Sequence, residues 1–67
     1  MDVKELKAQM IRKEKTAEQL CDALGISRSA WYRKTGGESQ FTQGEIVKLR
    51  KELDLDDRLT TLIFFNE

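Results

Sequence analysis

The sequence predicts an all-α fold, a compact bundle of about five short helices, on three observations. Apolar residues recur at intervals of three and four, with no sustained two-residue alternation to suggest strands. No proline interrupts the 67 residues. Helix-start residues stand ahead of successive apolar series, at Thr16, Ser27, Thr42 and Asp54 or Asp56.

Each element has its own signal. Val3, Leu6 and Met10, with Ile11 beside Met10, predict a first helix over Val3 to Lys13. Thr16 and Gln19 have capping-box spacing, in which the Thr hydroxyl takes a backbone N–H and the Gln side chain reaches back. Ala17, Leu20, Cys21 and Leu24 then form one apolar stripe, and Gly25 ends the second helix where a left-handed residue is needed. Ser27 caps a third helix running to about Lys34. Ile26 and Trp31 have the spacing of a hydrophobic staple around its start, and Gly36-Gly37 breaks it. Thr42 with Glu45 repeats the capping box, stapled by Phe41 and Ile46. Ile46, Leu49 and Leu53 make the buried stripe of this fourth helix, with Val47 at its edge. Asp54 or Asp56 caps a last helix carrying Leu59, Leu62 and Ile63. The ending Phe64-Phe65 is read two ways, as a seal on the core or as an apolar patch for a second subunit.

A chain of this length is read as one domain, residues 1–67, of marginal stability. One cysteine and no histidine exclude an intrachain disulfide and a Cys/His metal cluster, so the core must come from apolar packing or dimerisation. No cofactor and no small-molecule ligand are expected. Neither a signal peptide nor an apolar run of membrane-spanning length is visible, so no membrane partner is expected and the location is read as cytoplasmic. Without histidine, paired cysteines or a glycine-rich phosphate loop, the chain does not read as an enzyme. Net charge is zero but uneven: residues 1–51 hold 11 Lys/Arg against 7 Asp/Glu, residues 52–67 hold 1 against 5. A basic body with an acidic tail fits a surface that meets phosphate on one side, or ordinary scatter over a solvated surface. Lys4, Lys7, Arg12, Lys13 and Lys15 interleave with Glu5 and Glu14, which reads as a solvated helix face rather than a basic patch.

The informative unit is Thr16 to Lys34, two short helices joined by Gly25-Ile26-Ser27. A sharp crossing of two helices needs a small residue at the contact (Cys21), a positive φ in the turn (Gly25), and apolar anchors (Leu20, Leu24, Ile26, Trp31). The stretch LCDALGISRSAWYRK, from Leu20 to Lys34, resembles the turn and following helix of the lambda-repressor and Cro-like (XRE-type) family of phage and bacterial regulators. The looser five-helix pattern, including Phe41-Thr42 with Glu45 and the final Ile63-Phe64-Phe65, extends the resemblance over most of the chain. The small position, most often Ala in that family, is Cys21 here. A commonly apolar position is Lys34, whose methylene stem can cover the core while its charge emerges.

The resemblance implies a sequence-specific regulator of double-stranded DNA, a repressor of phage or prophage type acting in a bacterial cytoplasm. Ser27 to Lys34 would be the recognition helix in the major groove, with Arg28, Ser29, Tyr32 and Arg33 toward the bases. Backbone contacts would come from Thr16, Ala17, Ser27, Thr42 and Gln43 at helix starts, where free N–H groups meet phosphate, and from Lys34, Thr35 and Ser39 in the loop. Members of the family usually bind as dimers, so a homodimer on a palindromic operator is expected. The competing expectation is a protein-interaction module that keeps the fold without DNA readout.

Overall fold

The structure, a computed structural model, describes residues 1–65. Among them five α-helices and no strand follow one another: α1 (Val3–Arg12), α2 (Ala17–Leu24), α3 (Arg28–Thr35), α4 (Gln43–Glu52) and α5 (Asp57–Phe64). Helices of eight to ten residues do not persist alone in water, so each depends on its ends and on tertiary packing. Every start is capped by a side chain that accepts the backbone N–H three residues on: Asp2 from Glu5, Thr16 from Gln19, Ser27 from Ala30, Thr42 from Glu45 and Asp56 from Leu59. Each such cap stabilises by about 1 kcal/mol. Of the two aspartates that the sequence leaves open for α5, Asp56 is the cap.

The helix ends share one device. After α1, α2, α3 and α4 a single left-handed residue reverses the chain: Glu14 (φ 55°), Gly25 (φ 70°), Gly37 (φ 89°) and Asp54 (φ 50°). The next N–H then bonds back five residues, as in Lys15 N–H to the Met10 carbonyl (2.8 Å) and Leu55 N–H to the Arg50 carbonyl (2.9 Å). This fold puts Leu55, a loop residue the apolar spacing does not flag, into the core. Two of the four positions are not glycine, and the left-handed conformation costs an L-residue about 1–2 kcal/mol. Glu14→Gly is therefore expected to raise the melting temperature by a few degrees, and Asp54→Gly by less, since Asp tolerates this conformation better. A thermal melt that falls for Glu14→Gly contradicts this account of the α1 end.

The core is a single cluster of Leu6, Leu20, Cys21, Leu24, Trp31, Phe41, Leu49, Leu53, Leu55 and Ile63. α1 packs on α5, and the Asp2 N–H bonds the Ile63 carbonyl at 2.8 Å to close that pair. α2 is central and touches both α3 and α4. The Cα radius of gyration is 10.7 Å, against about 11 Å for a folded domain of this length, so no helix stands away from the rest.

Two expectations about the core are corrected. Ile11 is 78% exposed and Val47 is 64% exposed, while the polar Gln9 is buried. At 100° per residue Ile11 lies about 140° from Leu6, and Val47 about 160° from Leu49. Local spacing admits both residues, but the packing of α1 on α5 and of α4 on α2 selects the faces centred on Leu6 and Leu49. Of the two terminal aromatics, only Phe64 seals the core. Phe64 meets Phe41 edge-on at 5.8 Å between ring centroids, and Phe65 is 59% exposed. No helix among the described residues is long and apolar enough to cross a membrane.

Candidate nucleic-acid interface

The stretch singled out from the sequence folds as two eight-residue helices joined by Gly25, Ile26 and Ser27. Thr16 and Gln19 form the reciprocal box, at 3.1 Å and 2.9 Å. Cys21 sits against the turn, its Sγ 3.9 Å from the Ser27 carbonyl. Burial pushes the Cys21 thiol pKa up, with Arg28 pulling it down by less, so the group stays protonated and serves as a small core residue. Beyond Gly25 there is open space, so a side chain there would meet no neighbour and would suffer only from the positive φ. Gly25→Val is expected to cost about 1–2 kcal/mol, a fall of roughly 5–15 °C in melting temperature, with Gly25→Asn costing less. An unchanged Gly25→Val melt contradicts the left-handed turn.

Trp31 fixes how α3 is rotated. Its ring is buried and meets Phe41 edge-on at 5.6 Å, which continues through Phe41 to Phe64. With Trp31 inward, Arg28, Ser29, Tyr32 and Arg33 are all exposed. They stand on an outer surface with no core role. Two of them touch each other: Arg28 Nη2 donates to the Tyr32 hydroxyl at 2.9 Å, and its guanidinium carbon lies 5.6 Å from the ring centroid.

The helix starts offer backbone donors, but not all the expected ones. The Thr16 and Thr42 N–H groups are taken by Gln19 and Glu45, each at 2.9 Å. At the starts of α2, α3 and α4 the first two helical amides follow without a partner: Ala17 and Glu18, Arg28 and Ser29, Gln43 and Gly44. The Thr16, Ser27 and Thr42 hydroxyls each accept a cap bond and keep their own O–H free to donate. Thr35 Oγ1 donates back to the Trp31 carbonyl at 3.0 Å, and Ser39 is half-buried in the α3–α4 loop.

Lys34 differs from its expected role. Its ammonium does not emerge toward solvent. It bonds Glu45 Oε1 at 2.9 Å and the Gln40 carbonyl at 3.2 Å, and lies 5.7 Å from the Phe41 ring centroid. The two charged side chains are 14% and 15% exposed. Burial pushes the Glu45 carboxyl up, but the Thr42 N–H and the Lys34 ammonium pull further the other way, so its pKa lies below the ordinary glutamate value. This pair ties the end of α3 to the start of α4 and spends the Lys34 charge inside the protein. A signal for it was present in the sequence: a lysine at a core-facing position needs a counter-charge, and Glu45 opens the helix that packs nearby.

The uneven charge along the chain is partly cancelled in space. Lys13 meets Asp54 at 4.0 Å, Lys15 meets Glu52 at 3.7 Å, and Arg50 pairs with Asp57. Glu52, Asp54 and Asp57 therefore neutralise basic residues at the ends of α1 and α4. No family model, no curated protein and no solved structure matches this chain.

Proposed function

We propose that this chain binds double-stranded DNA in a sequence-specific way, as a regulator of the lambda-repressor and Cro-like type, with α3 in the major groove. The observation that carries this is the arrangement of α3: Trp31 anchors the helix in the core while Arg28, Ser29, Tyr32 and Arg33 are all exposed. A groove about 12 Å wide admits one helix, and the first residues of that helix reach base edges. An arginine there can hold guanine O6 and N7 with two parallel bonds. Arg28 and Ser29 occupy the first turn.

Phosphate positioning falls to the starts of α2 and α4. The free amides of Ala17, Glu18, Gln43 and Gly44 sit at positive helix ends, and the Thr16 and Thr42 hydroxyls add donors. Ser39 and the backbone of the α3–α4 loop extend the same set. Lys34 takes no part, since its charge is already matched by Glu45. Such contacts fix orientation and carry no sequence information. A single short α3 reads a short half-site, so a homodimer on a palindromic operator goes with this function, with half-sites about 34 Å apart. Repression of a promoter in a bacterial cytoplasm would follow from occupancy of that operator.

One observation favours a second function, a protein-interaction module. The two-helix unit from Thr16 to Lys34 holds Arg28, Arg33 and Lys34 against Glu18 and Asp22, and Lys34 is matched by Glu45, so the unit carries little net positive charge. Titration of short duplex DNA into isotope-labelled protein at about 50 mM salt separates the two. DNA binding by α3 predicts the largest backbone amide shifts at Ala17, Glu18, Arg28, Ser29, Gln43 and Gly44. Shifts concentrated on α1 and α5, or none, contradict it.

A further inference from the structure

Arg28 and Tyr32 lie one helical turn apart on the exposed side of α3, and each could meet DNA alone. Their contact indicates a different division of labour. The Tyr32 hydroxyl accepts from Arg28 Nη2 at 2.9 Å, and the guanidinium lies beside the ring. Two carboxylates, Glu18 and Asp22, stand exposed on the neighbouring α2, yet among the described residues Arg28 forms no ion pair with either. The guanidinium has a neutral partner in place of an acidic one.

We propose that Tyr32 is a positioning residue: it holds the Arg28 guanidinium preassembled for a guanine edge, rather than reading a base itself. This rests on the DNA-binding function proposed above. Two physical consequences follow from the neutral acceptor. A carboxylate in its place would cancel the charge that attracts guanine O6 and N7, whereas a phenol oxygen leaves that charge whole. Only one of the guanidinium N–H groups is used, and those left still include a parallel pair for bidentate bonding. Holding the long side chain in advance also lowers the ordering cost on binding, which for a free arginine is among the largest of any residue.

The test is selection from random duplex DNA with wild type, Tyr32→Phe and Arg28→Ala, followed by titration of the enriched sequence and its single-base variants. Tyr32→Phe keeps the ring and removes the acceptor, and at an exposed site it should leave the melting temperature unchanged. Expected is a loss of about three- to tenfold in preference for guanine at one position, the position that Arg28→Ala abolishes. Affinity for unrelated duplex should not change, which a merely structural role would not produce. Equal guanine preference in wild type and Tyr32→Phe overturns the positioning role while leaving DNA reading intact. So does a Tyr32→Phe loss at a different base from Arg28→Ala, since Tyr32 would then read that base directly. Enrichment by none of the three proteins overturns both this inference and the DNA-binding function beneath it.

Discussion

Glu45→Ala is expected to lower the melting temperature by about 10–25 °C. Two losses combine. The substitution removes the bond to the Thr42 N–H, half of the capping box that starts α4. It also leaves the ammonium of Lys34, whose side chain is 14% exposed, with only the Gln40 carbonyl and the Phe41 ring face. Breaking one side of a fully buried pair costs about 3–5 kcal/mol, and this pair is not fully buried, so about 2–4 kcal/mol for both losses is the expected scale. A domain of this length has roughly 3–10 kcal/mol in all. The conversion to temperature follows from about 4–8 °C per kcal/mol for small domains.

A double variant separates the charge pair from the cap. Lys34→Met with Glu45→Gln restores an apolar residue and keeps a side chain that can complete the capping box. It should recover most of the stability, because no buried charge is left unpaired and the glutamine can still accept the Thr42 N–H. The pH dependence has a definite sign. The folded Glu45 pKa is depressed, so the ionised form is the stabilised one. Its contribution stands in full above about pH 4.3, the unfolded value, and is lost as pH falls through the lower folded value. Acid titration of the melting temperature should therefore be shallower for the double variant than for wild type. Parallel curves contradict a stabilising Lys34–Glu45 pair.

Arg28→Ala is expected to have the largest effect on binding. Loss of a bidentate guanine contact should weaken the preferred duplex by roughly 1–3 kcal/mol, about five- to 150-fold, and relax one base position. Thermal stability should hardly move, because Arg28 is exposed and its one hydrogen bond is to exposed Tyr32. A uniform loss across all duplexes with a shallower salt dependence instead assigns Arg28 to phosphate.

What was legible in the sequence was mostly local. The helix starts could be read because a cap and its partner lie three residues apart, and the Thr16 and Thr42 boxes form as their spacing requires. The exposed set on α3 could be read because Trp31 fixes the phase of a single short helix. Ile11 and Val47 could not be placed, since which face of α1 and α4 is buried depends on partners distant in sequence. The left-handed Glu14 and Asp54 were hidden because neither is the glycine that usually marks such a turn. Lys34 and Glu45 are eleven residues apart and meet only once α3 and α4 have both packed on α2. The fate of the Thr16 and Thr42 amides was implicit in the boxes themselves, since a complete box consumes the amide of its capping residue.

The central claim is that α3 reads base sequence in duplex DNA. Selection of the wild-type protein against random duplexes at stated salt, with titration of what is enriched, tests it most directly. The account predicts an enriched motif containing a guanine that depends on Arg28, bound well above bulk DNA, with half-sites about 10 bp apart if two copies bind together. No enrichment, with only weak salt-sensitive binding or none, contradicts sequence reading and leaves the two-helix unit as a surface for another protein.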